Sequence, residues 1–313
     1  MTHPRERIRR TAAAKNLAAK DTAVKVSVVV PCYNYGRYLA DAVGSVAGQT
    51  LADFEIVVVD DGSDDNSEEV CSRLLETWSD LALTVVRQDN SGQPAIPRNR
   101  GIELSRGDYL LCLDADDKLC PGTLAACSAC LDANEAISIA YPCVREFDGG
   151  DALWAPRAYD PAVLLLWNFI PTAAMFRRRA WQDVGGYATN VISHEDWNFW
   201  IACATNNHFG ALVKEATFHY RIHGGSLIQS QSDKARRLKL KAQVIENHPS
   251  FYTDHQRLWA RGVLRDVPAA LATELDPSYM PSFKGDPITP ATRAMMNNWR
   301  LRKAIARASS AEP

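Results

Sequence analysis

The feature that most constrains the fold is a short apolar run that ends in three carboxylates. Residues 109–113 are Tyr-Leu-Leu-Cys-Leu, enough for one buried strand and too few for most helices. Asp114, Asp116 and Asp117 follow directly. Because side chains alternate along a strand, Asp114 and Asp116 are expected to point to the same side at its carboxyl end. Open α/β sheets bind their ligands at such ends, so the run predicts a sheet with an acidic site at one edge.

Two acids on one side of a strand end repel each other unless a cation lies between them. A hard divalent ion, Mg²⁺ or Mn²⁺, suits carboxylate oxygens together with the phosphates of a substrate. The alternative is a solvated acidic turn that caps the helix expected near Pro121. Taken alone, an Asp-x-Asp pattern favours this alternative because it is short and common.

The first half of the chain alternates apolar, β-branched runs with amphipathic segments. The pattern predicts strands at residues 26–30, 54–59, 81–86 and 109–113, separated by helices at 37–49, 63–78 and 98–104. The order β-α-β-α-β-α-β predicts an α/β fold in which right-handed crossovers connect a mostly parallel central sheet with flanking helices.

Polar side chains follow three of these strands. Tyr33 and Asn34 come after the first strand, and Asp60 and Asp61 come after the second. The carboxyl ends of parallel strands meet at one edge, so these residues and the Asp-x-Asp should line one cleft. No strand is followed by Gly-x-Gly-x-x-Gly or Gly-Lys-Ser/Thr. The cleft is therefore not expected to bind a dinucleotide or a P-loop nucleotide.

The second half of the chain is less regular. The pattern predicts a loop at 147–160, strands at 137–141, 172–176 and 218–223, and helices at 124–131, 177–184 and 197–205. Asp196 precedes the last of these helices, where an acid can serve a reaction or merely complement the helix dipole. From about residue 232 the pattern is helical and charged, with a loop at 277–290.

Composition limits the classes of function. The net charge is −2, so no basic field attracts nucleic acid, and no apolar run approaches the ~20 residues that span a bilayer. Eight cysteines, mostly in apolar runs, are typical of a reduced cytosolic protein, and Cys127 with Cys130 is interpreted as helix packing. Residues 1–24 form a basic tail, interpreted as a frayed terminus, with a weak contact to a membrane surface as the alternative.

The motifs in chain order resemble the inverting GT-A glycosyltransferases of family 2. The resemblance covers roughly residues 26–229 and not the C-terminal helices. It rests on VVVPCYN at 28–34, VVDDGS at 58–63, AIPRNRGI at 95–102, GDY at 107–109, LDADD at 113–117, VGGY at 184–187, HED at 194–196 and YRIHGGS at 220–226.

The resemblance implies a Rossmann-like GT-A domain at residues 25–232, divided into a nucleotide-sugar half, 25–120, and an acceptor half, 121–232. A helical C-terminal extension, 233–313, follows. The expected reaction moves a sugar from a nucleoside diphosphate, UDP by preference, to a hydroxyl group with inversion. The acceptor would be a surface polysaccharide, a glycolipid or a glycoprotein, and the enzyme would be cytoplasmic, with the inner face of the membrane as an alternative location.

The resemblance also implies roles for individual donor-side residues. Tyr33 would stack on the base, Asp61 would accept a hydrogen bond from it, and Pro31 would line the pocket through its carbonyl group. Arg98 would lie near the base and the diphosphate. Asp114 would contact the ribose.

The remaining implied roles concern the metal and the reaction. Asp116 would bind the divalent metal, Mn²⁺ or Mg²⁺, and His223 would be a second contact to the metal or the diphosphate. Asp196 would be the general base, whereas His194 receives no role. This division into an acid set for the leaving group and a separate acid for the incoming hydroxyl suits a direct displacement.

Three other functions compete with this interpretation. A sugar-phosphate nucleotidyltransferase would need a Gly-rich loop with Arg or Lys directly after the first strand, and residues 31–35 lack one. A phosphate-receiving signalling domain would end near residue 120, whereas the ordered motifs continue well beyond it. A non-catalytic module that binds a nucleotide sugar is disfavoured only by the presence of Asp116, Asp196 and His223.

Overall fold

The computed structural model describes residues 6–20, 24–224, 234–265 and 289–309. Several predictions fall outside these ranges. They are the domain boundary at residue 232, Gly225 and Ser226 of the last motif, and nearly all of the loop predicted at 277–290.

The described residues form one twisted sheet whose central strands are parallel. Its order is β1-β4-β3-β2-β5-β9-β7-β10-β6, with β8 paired to β7. Parallel pairing joins β4, β3, β2 and β5, and separately β7 and β10, whereas the other pairs are antiparallel. The strands are β1 (Arg7–Arg10), β2 (Val24–Cys32), β3 (Phe54–Asp60), β4 (Leu83–Arg87), β5 (Gly107–Cys112), β6 (Lys118–Leu119), β7 (Ile137–Phe147), β8 (Leu153–Trp154), β9 (Met175–Arg177) and β10 (Phe209–Arg221).

Helices cover both faces of the sheet. Helices α2, α3 and α5 pack on one face, and α4, α7, α8, α9 and α10 contribute to the core on the other. The helices are α1 (Ala12–Lys20), α2 (Gly36–Ala47), α3 (Ser67–Thr77), α4 (Ala95–Leu104), α5 (Thr123–Asp132), α6 (Pro161–Leu164), α7 (Arg178–Val184), α8 (Glu195–Thr205), α9 (Lys234–Asn247), α10 (Asp254–Leu264) and α11 (Pro290–Ser309).

The apolar runs are continuous because the central strands are buried on both sides. Along β2, Val28 and Val30 face the α2/α3/α5 layer, whereas Val29 faces the opposite core. All three side chains are fully buried. The predicted β-α-β-α-β-α-β order and the mostly parallel central sheet with flanking helices are confirmed, and helices are present in the C-terminal part.

The N-terminal segment corrects the prediction of a frayed terminus. Strand β1 adds an antiparallel edge to β4, and α1 follows it. Both carboxylate oxygens of Glu6 accept hydrogen bonds from Arg100, at 2.6 and 2.7 Å. The basic sequence Arg-Ile-Arg-Arg has no strand pattern of its own. The open edge of β4 supplies the backbone partners that make it a strand.

Two further predictions are wrong in the second half. The last strand begins at Phe209 rather than near Phe218. The sequence pattern did not show its first half because a register shift, with exposed residues at 214 and 215, interrupts the apolar pattern. Residues 147–160, predicted as a loop, contain β8, which pairs with the end of β7. Tertiary pairing extends these strands beyond what local pattern indicates.

All eight cysteines are free. Cys127 is buried in α5 and packs against the sheet. Across residues 6–20, 24–224, 234–265 and 289–309, no helix has the length and apolar character required to cross a bilayer.

Candidate functional site

The strand order brings the predicted site residues to one edge of the sheet. Strand β2 lies between β3 and β5, and all three run in the same direction. Their carboxyl ends therefore place the loops that begin at Tyr33, Asp61 and Leu113 side by side. The convergence predicted from sequence is observed.

The loop after β2 has a fixed shape. Asn34 adopts the left-handed conformation, with a φ of 58°. Its side-chain oxygen accepts a hydrogen bond from the Asp64 amide at 2.9 Å, and its own amide donates to the Ser63 hydroxyl at 3.0 Å. The neighbouring Tyr33 side chain is 43% exposed, so its ring is available to a ligand.

Asp61 is buried at the floor of the adjoining loop. Its carboxylate accepts hydrogen bonds from Gln88 Nε2 at 2.6 Å and from the Ser91 hydroxyl at 2.7 Å. Gly62 has a φ of +73°, and a Cβ atom there would lie 2.5 Å from the Asn90 amide nitrogen. Only glycine permits this close approach, which holds Asp61 against residues 88–91.

Asp116 and His223 meet although 107 residues separate them. His223 Nε2 lies 3.0 Å from Asp116 Oδ2. The antiparallel pairing of β6 with β10 explains the contact, because it places the residues before Lys118 beside those after His219. Burial and the charge of Asp114 raise the pKa of Asp116, whereas His223 lowers it.

Arg221 stabilises the turn that carries Asp116, a role that the sequence did not indicate. Its side chain is buried, its Nε donates to the Asp116 carbonyl oxygen at 2.6 Å, and its backbone amide donates to Asp117 Oδ1 at 2.8 Å. The guanidinium lies between the rings of Tyr38 and Phe147, 4.3 and 4.4 Å from their centroids. Arg221 thus fixes the Asp-x-Asp-Asp turn to the end of β10.

The residues at this turn fit a divalent cation that takes some of its ligands from the protein and the others from a substrate. In the described part of the chain, no group of three His, Cys, Asp or Glu side chains is arranged to hold a metal by itself. One carboxylate and one imidazole 3.0 Å apart leave the other positions to phosphate oxygens and water. Mg²⁺ sites in proteins commonly combine one or two carboxylates with substrate phosphates and water.

Arg98 is held between two carboxylates. It is only 3% exposed, donates to Asp114 Oδ1 at 2.5 Å, and forms a second ion pair with Glu195. Burial lowers its pKa, but the two carboxylates outweigh burial and hold that pKa well above its ordinary value. The guanidinium therefore links the Asp-x-Asp turn to the start of α8.

Glu195 is the site residue for which sequence gave no role. It is 4% exposed, and its Oε2 atom has no hydrogen-bond partner among the described residues. Burial raises the pKa of Glu195 to about 7, against the lowering effect of Arg98. The only sequence signal was its place in the His-Glu-Asp motif, because nothing local to Glu195 shows that Arg98 lies against it.

Replacing Glu195 by Gln should change how stability depends on pH. The fold raises the carboxyl pKa from 4.5 to about 7, so it favours the neutral form. The contribution of Glu195 to stability is then complete below about pH 4.5 and is lost as the pH rises through about 7. We expect the difference in unfolding free energy, wild type minus Glu195→Gln, to fall across this window in denaturant titrations. The exposed acid Glu215, changed to Gln, is the control, and a pH-independent difference would contradict the assignment.

Asp196, the next residue, lies in a separate polar pocket. Its Oδ2 accepts hydrogen bonds from Asn168 Nδ2 at 3.0 Å and from the Thr172 hydroxyl at 3.4 Å, while Oδ1 accepts from the Trp197 amide at 2.7 Å. The side chain is half-buried rather than enclosed. These donors orient the carboxylate and leave it accessible from one side. The position suits both a helix-start acid and a proton acceptor.

The site thus has two parts joined by one buried cation. Asp61, Asp114 and Asp116 lie at the strand ends, whereas Asp196 lies at the start of α8. Arg98 bridges the two parts through Asp114 and Glu195. Negative charge that develops between the parts would be bordered by a fixed guanidinium and by the candidate metal position.

Comparison with known proteins identifies the family. Residues 27–198, more than half of the chain, match the model "Glycosyl transferase family 2". An uncharacterized glycosyltransferase of Nostoc sp. (strain PCC 7120) is 30% identical over 250 residues, which are 74% of this chain and 75% of the relative.

Two solved structures share the fold at lower sequence identity. TarS 1-349 of S. aureus, in complex with UDP-GlcNAc, has a TM-score of 0.58 at 20% identity. The match covers 83% of this chain and 74% of the TarS chain. The mannosyltransferase PcManGT from Pyrobaculum calidifontis, in complex with GDP-Man and Mn²⁺, has a TM-score of 0.59 at 20% identity. The match covers 96% of this chain and 93% of the PcManGT chain.

These matches agree with the motifs and with the arrangement of the strand ends. The family match spans β2 through the start of α8, and therefore includes both parts of the site except Arg221 and His223. The chain belongs to glycosyltransferase family 2 and is a transferase enzyme.

Proposed function

We propose that this enzyme transfers a sugar from a nucleoside diphosphate sugar, UDP-linked by preference, to a hydroxyl group with inversion at the anomeric carbon. The supporting observation is the division of the site. Acids at the strand ends lie on one side of the Arg98 bridge, and Asp196 lies on the other. Direct displacement needs this separation, because the proton acceptor and the leaving group are on opposite faces of the sugar.

The donor nucleotide is proposed to bind the loops after β2 and β3. Tyr33 would stack on the base through its exposed ring, and the Pro31 carbonyl would line the pocket. Asp61 accepts hydrogen bonds from Gln88 Nε2 and from both the hydroxyl and the amide of Ser91. A carboxylate offers about four lone-pair positions, so one position is proposed to remain for a base N–H. Asp114, 34% exposed in its side chain, remains accessible to a ribose hydroxyl.

The diphosphate is proposed to lie over Asp116 and His223, which would hold a divalent ion, Mn²⁺ or Mg²⁺, together with the phosphate oxygens. Such an ion supplies Lewis-acid stabilisation of the negative charge on the leaving diphosphate. Arg221 keeps Asp116 in position through its main-chain carbonyl. The PcManGT structure contains Mn²⁺, which supports this proposal by analogy.

The acceptor hydroxyl is proposed to enter beside Asp196. Its oxygen forms the new bond to the anomeric carbon as the bond to the diphosphate oxygen breaks, and its proton passes to the Asp196 carboxylate. General base catalysis of this kind typically contributes about 10²–10⁴-fold to the rate. Asn168 and Thr172 would hold the carboxylate towards the acceptor.

A panel of nucleotide sugars tests the function. UDP- and GDP-linked hexoses, with and without Mn²⁺ or Mg²⁺, are scored by thermal shift and by release of nucleoside diphosphate. We expect metal-dependent release with at least one UDP-sugar. Binding without release, in the presence of metal and a range of acceptors, would support a non-catalytic binding module instead. Release of pyrophosphate from a sugar phosphate and a nucleoside triphosphate would support a nucleotidyltransferase.

Replacing Asp61 by Asn should weaken donor binding. Asparagine keeps the shape but exchanges one acceptor oxygen for a donor, which faces the base N–H unfavourably. Loss of a buried hydrogen bond of this kind amounts to about 1–3 kcal/mol, or roughly 10–100-fold in Kd. Calorimetry with UDP measures the effect, and Asp64→Asn is the matched control because Asp64 is exposed three residues away. Wild-type affinity in Asp61→Asn would remove Asp61 from the nucleotide site.

The biological setting is proposed from the reaction class. A surface polysaccharide, a glycolipid or a glycoprotein would supply the acceptor hydroxyl, and nucleic acid is not an expected partner. A cytoplasmic location, with or without a weak contact to the inner face of the membrane, stays a prediction.

A further inference from the structure

A large aromatic side chain is exposed in a segment that is otherwise buried. Trp167 is 61% exposed, whereas Leu164, Leu165, Phe169 and Ile170 are each at most 4% exposed. Tryptophan is normally among the more buried residues on average, so an isolated exposed ring between buried neighbours needs an explanation.

The exposure does not come from a loose backbone. The Trp167 amide donates to the Val163 carbonyl oxygen at 3.0 Å. The Trp197 indole nitrogen donates to the Leu164 carbonyl oxygen at 2.7 Å, and the Tyr252 hydroxyl donates to the Leu165 carbonyl oxygen at 2.8 Å. The segment is therefore attached both to α8 and to the C-terminal part, and the backbone that carries the Trp167 ring is fixed in advance.

The segment that carries this ring contacts the proposed proton acceptor. Asn168, the residue after Trp167, donates a hydrogen bond to Asp196 Oδ2 at 3.0 Å. A second exposed apolar side chain, Ile192 at 42%, precedes Asp196 by four residues. The segment that contacts Asp196 and the segment that precedes it in the chain thus each expose an apolar side chain.

The exposed Trp167 ring and a cationic side chain both lie near Phe169. The Phe169 ring centroid is 6.4 Å from that of Trp167, and the Arg157 guanidinium lies 6.0 Å from the same Phe169 ring. Arg157 is itself exposed. Ligand sites typically combine apolar surfaces with a few polar groups that fix orientation, and Trp167 with Arg157 supplies both kinds.

We propose that Trp167 is the platform for a pyranose ring of the acceptor, which lies against the indole while its reacting hydroxyl reaches Asp196. One face of a pyranose carries mainly C–H groups, which pack on an aromatic face, and its hydroxyls remain free for Arg157 and for Asp196. A rigid aromatic ring loses little conformational entropy on binding. The inference rests on the proposed function and narrows the acceptor to a sugar ring, as opposed to an acyclic alditol or an amino-acid hydroxyl.

Binding can be measured without turnover. The eight tryptophans are replaced by 5-fluorotryptophan, and the ¹⁹F resonance of Trp167 is assigned by its loss in Trp167→Phe. Methyl pyranosides are then titrated into the full chain, with UDP and Mn²⁺ present. We expect the Trp167 resonance to shift with at least one methyl pyranoside and not with ribitol or glycerol. No shift with any pyranoside, or an equal shift with the alditols, would overturn the proposal.

Kinetics on the acceptor found in this way provide the second test. Trp167→Ala should raise the acceptor KM by about tenfold while the donor KM does not change, and Trp167→Phe should retain most of the affinity. Leu258→Ala, which removes a 72% exposed apolar side chain from α10, is the control for a general surface effect and should match the wild type. An unchanged acceptor KM in Trp167→Ala would overturn the platform.

The two proposals fail in distinguishable ways. If the wild type turns over no nucleotide sugar, the proposed function fails, and the ¹⁹F titration still reports whether a pyranose contacts Trp167. If the wild type is active and Trp167→Ala binds its acceptor normally, only the platform fails.

Discussion

Asp196→Asn is expected to lower kcat by roughly 10²–10⁴-fold while donor affinity holds, because asparagine keeps the shape of the side chain and removes its basicity. Asn168 Nδ2 and the Thr172 hydroxyl can still donate to the amide oxygen, whereas the Trp197 amide loses its acceptor Oδ1, which lowers stability without displacing the side chain. Donor binding is proposed to involve the strand-end residues on the other side of Arg98. The kinetic loss should therefore appear in turnover and not in donor affinity.

The competing interpretation makes a different prediction for the same variant. If Asp196 only complements the dipole of α8, Asp196→Asn should lower stability by at most about 1 kcal/mol with nearly normal turnover. Asp254→Asn is the matched control, because Asp254 is an exposed acid at the start of α10. Donor Kd by calorimetry and kcat by product release separate the cases. A parallel loss of both quantities would show a structural or metal-linked role instead.

Asp116→Ala is expected to lower transfer by roughly 10³-fold, equivalent to about 4 kcal/mol of lost charge stabilisation. The variant removes the carboxylate that faces His223, whereas the main-chain carbonyl that Arg221 binds remains. Burial and the charge of Asp114 outweigh the opposing effect of His223 and raise the pKa of Asp116, so the fold disfavours the charged carboxylate overall. The melting temperature should therefore be unchanged or slightly higher.

Metal dependence gives this second prediction its control. Donor binding by the wild type should weaken on addition of EDTA and recover with Mn²⁺, and Asp116→Ala should bind donor equally with and without metal. Asp108→Ala removes an exposed acid from the other end of β5 and should behave like the wild type. Full activity of the wild type in EDTA, or of Asp116→Ala, would disprove the metal assignment.

Much of the fold follows from local sequence, for a clear reason. Runs such as those around Val28, Val58 and Leu111 are apolar throughout because parallel central strands are buried on both faces. The strand-end acids could be located for the same reason, since a buried run that stops at a carboxylate marks where the sheet reaches solvent. The edges of the sheet were harder to predict. Strand β1 contains three arginines and exists because β4 offers it hydrogen-bond partners.

Local pattern is sufficient to predict the parallel core, the edge of the sheet where the strand-end acids lie, the family, and the positions of Tyr33, Asp61, Asp116 and Asp196 at or near that edge. Which of these residues meet depends on the tertiary structure. It brings His223 to Asp116 through the pairing of β10 with β6, and it buries Arg98 between Asp114 and Glu195. Local pattern reports burial and direction, whereas a contact between residues about 100 positions apart depends on strand order and register.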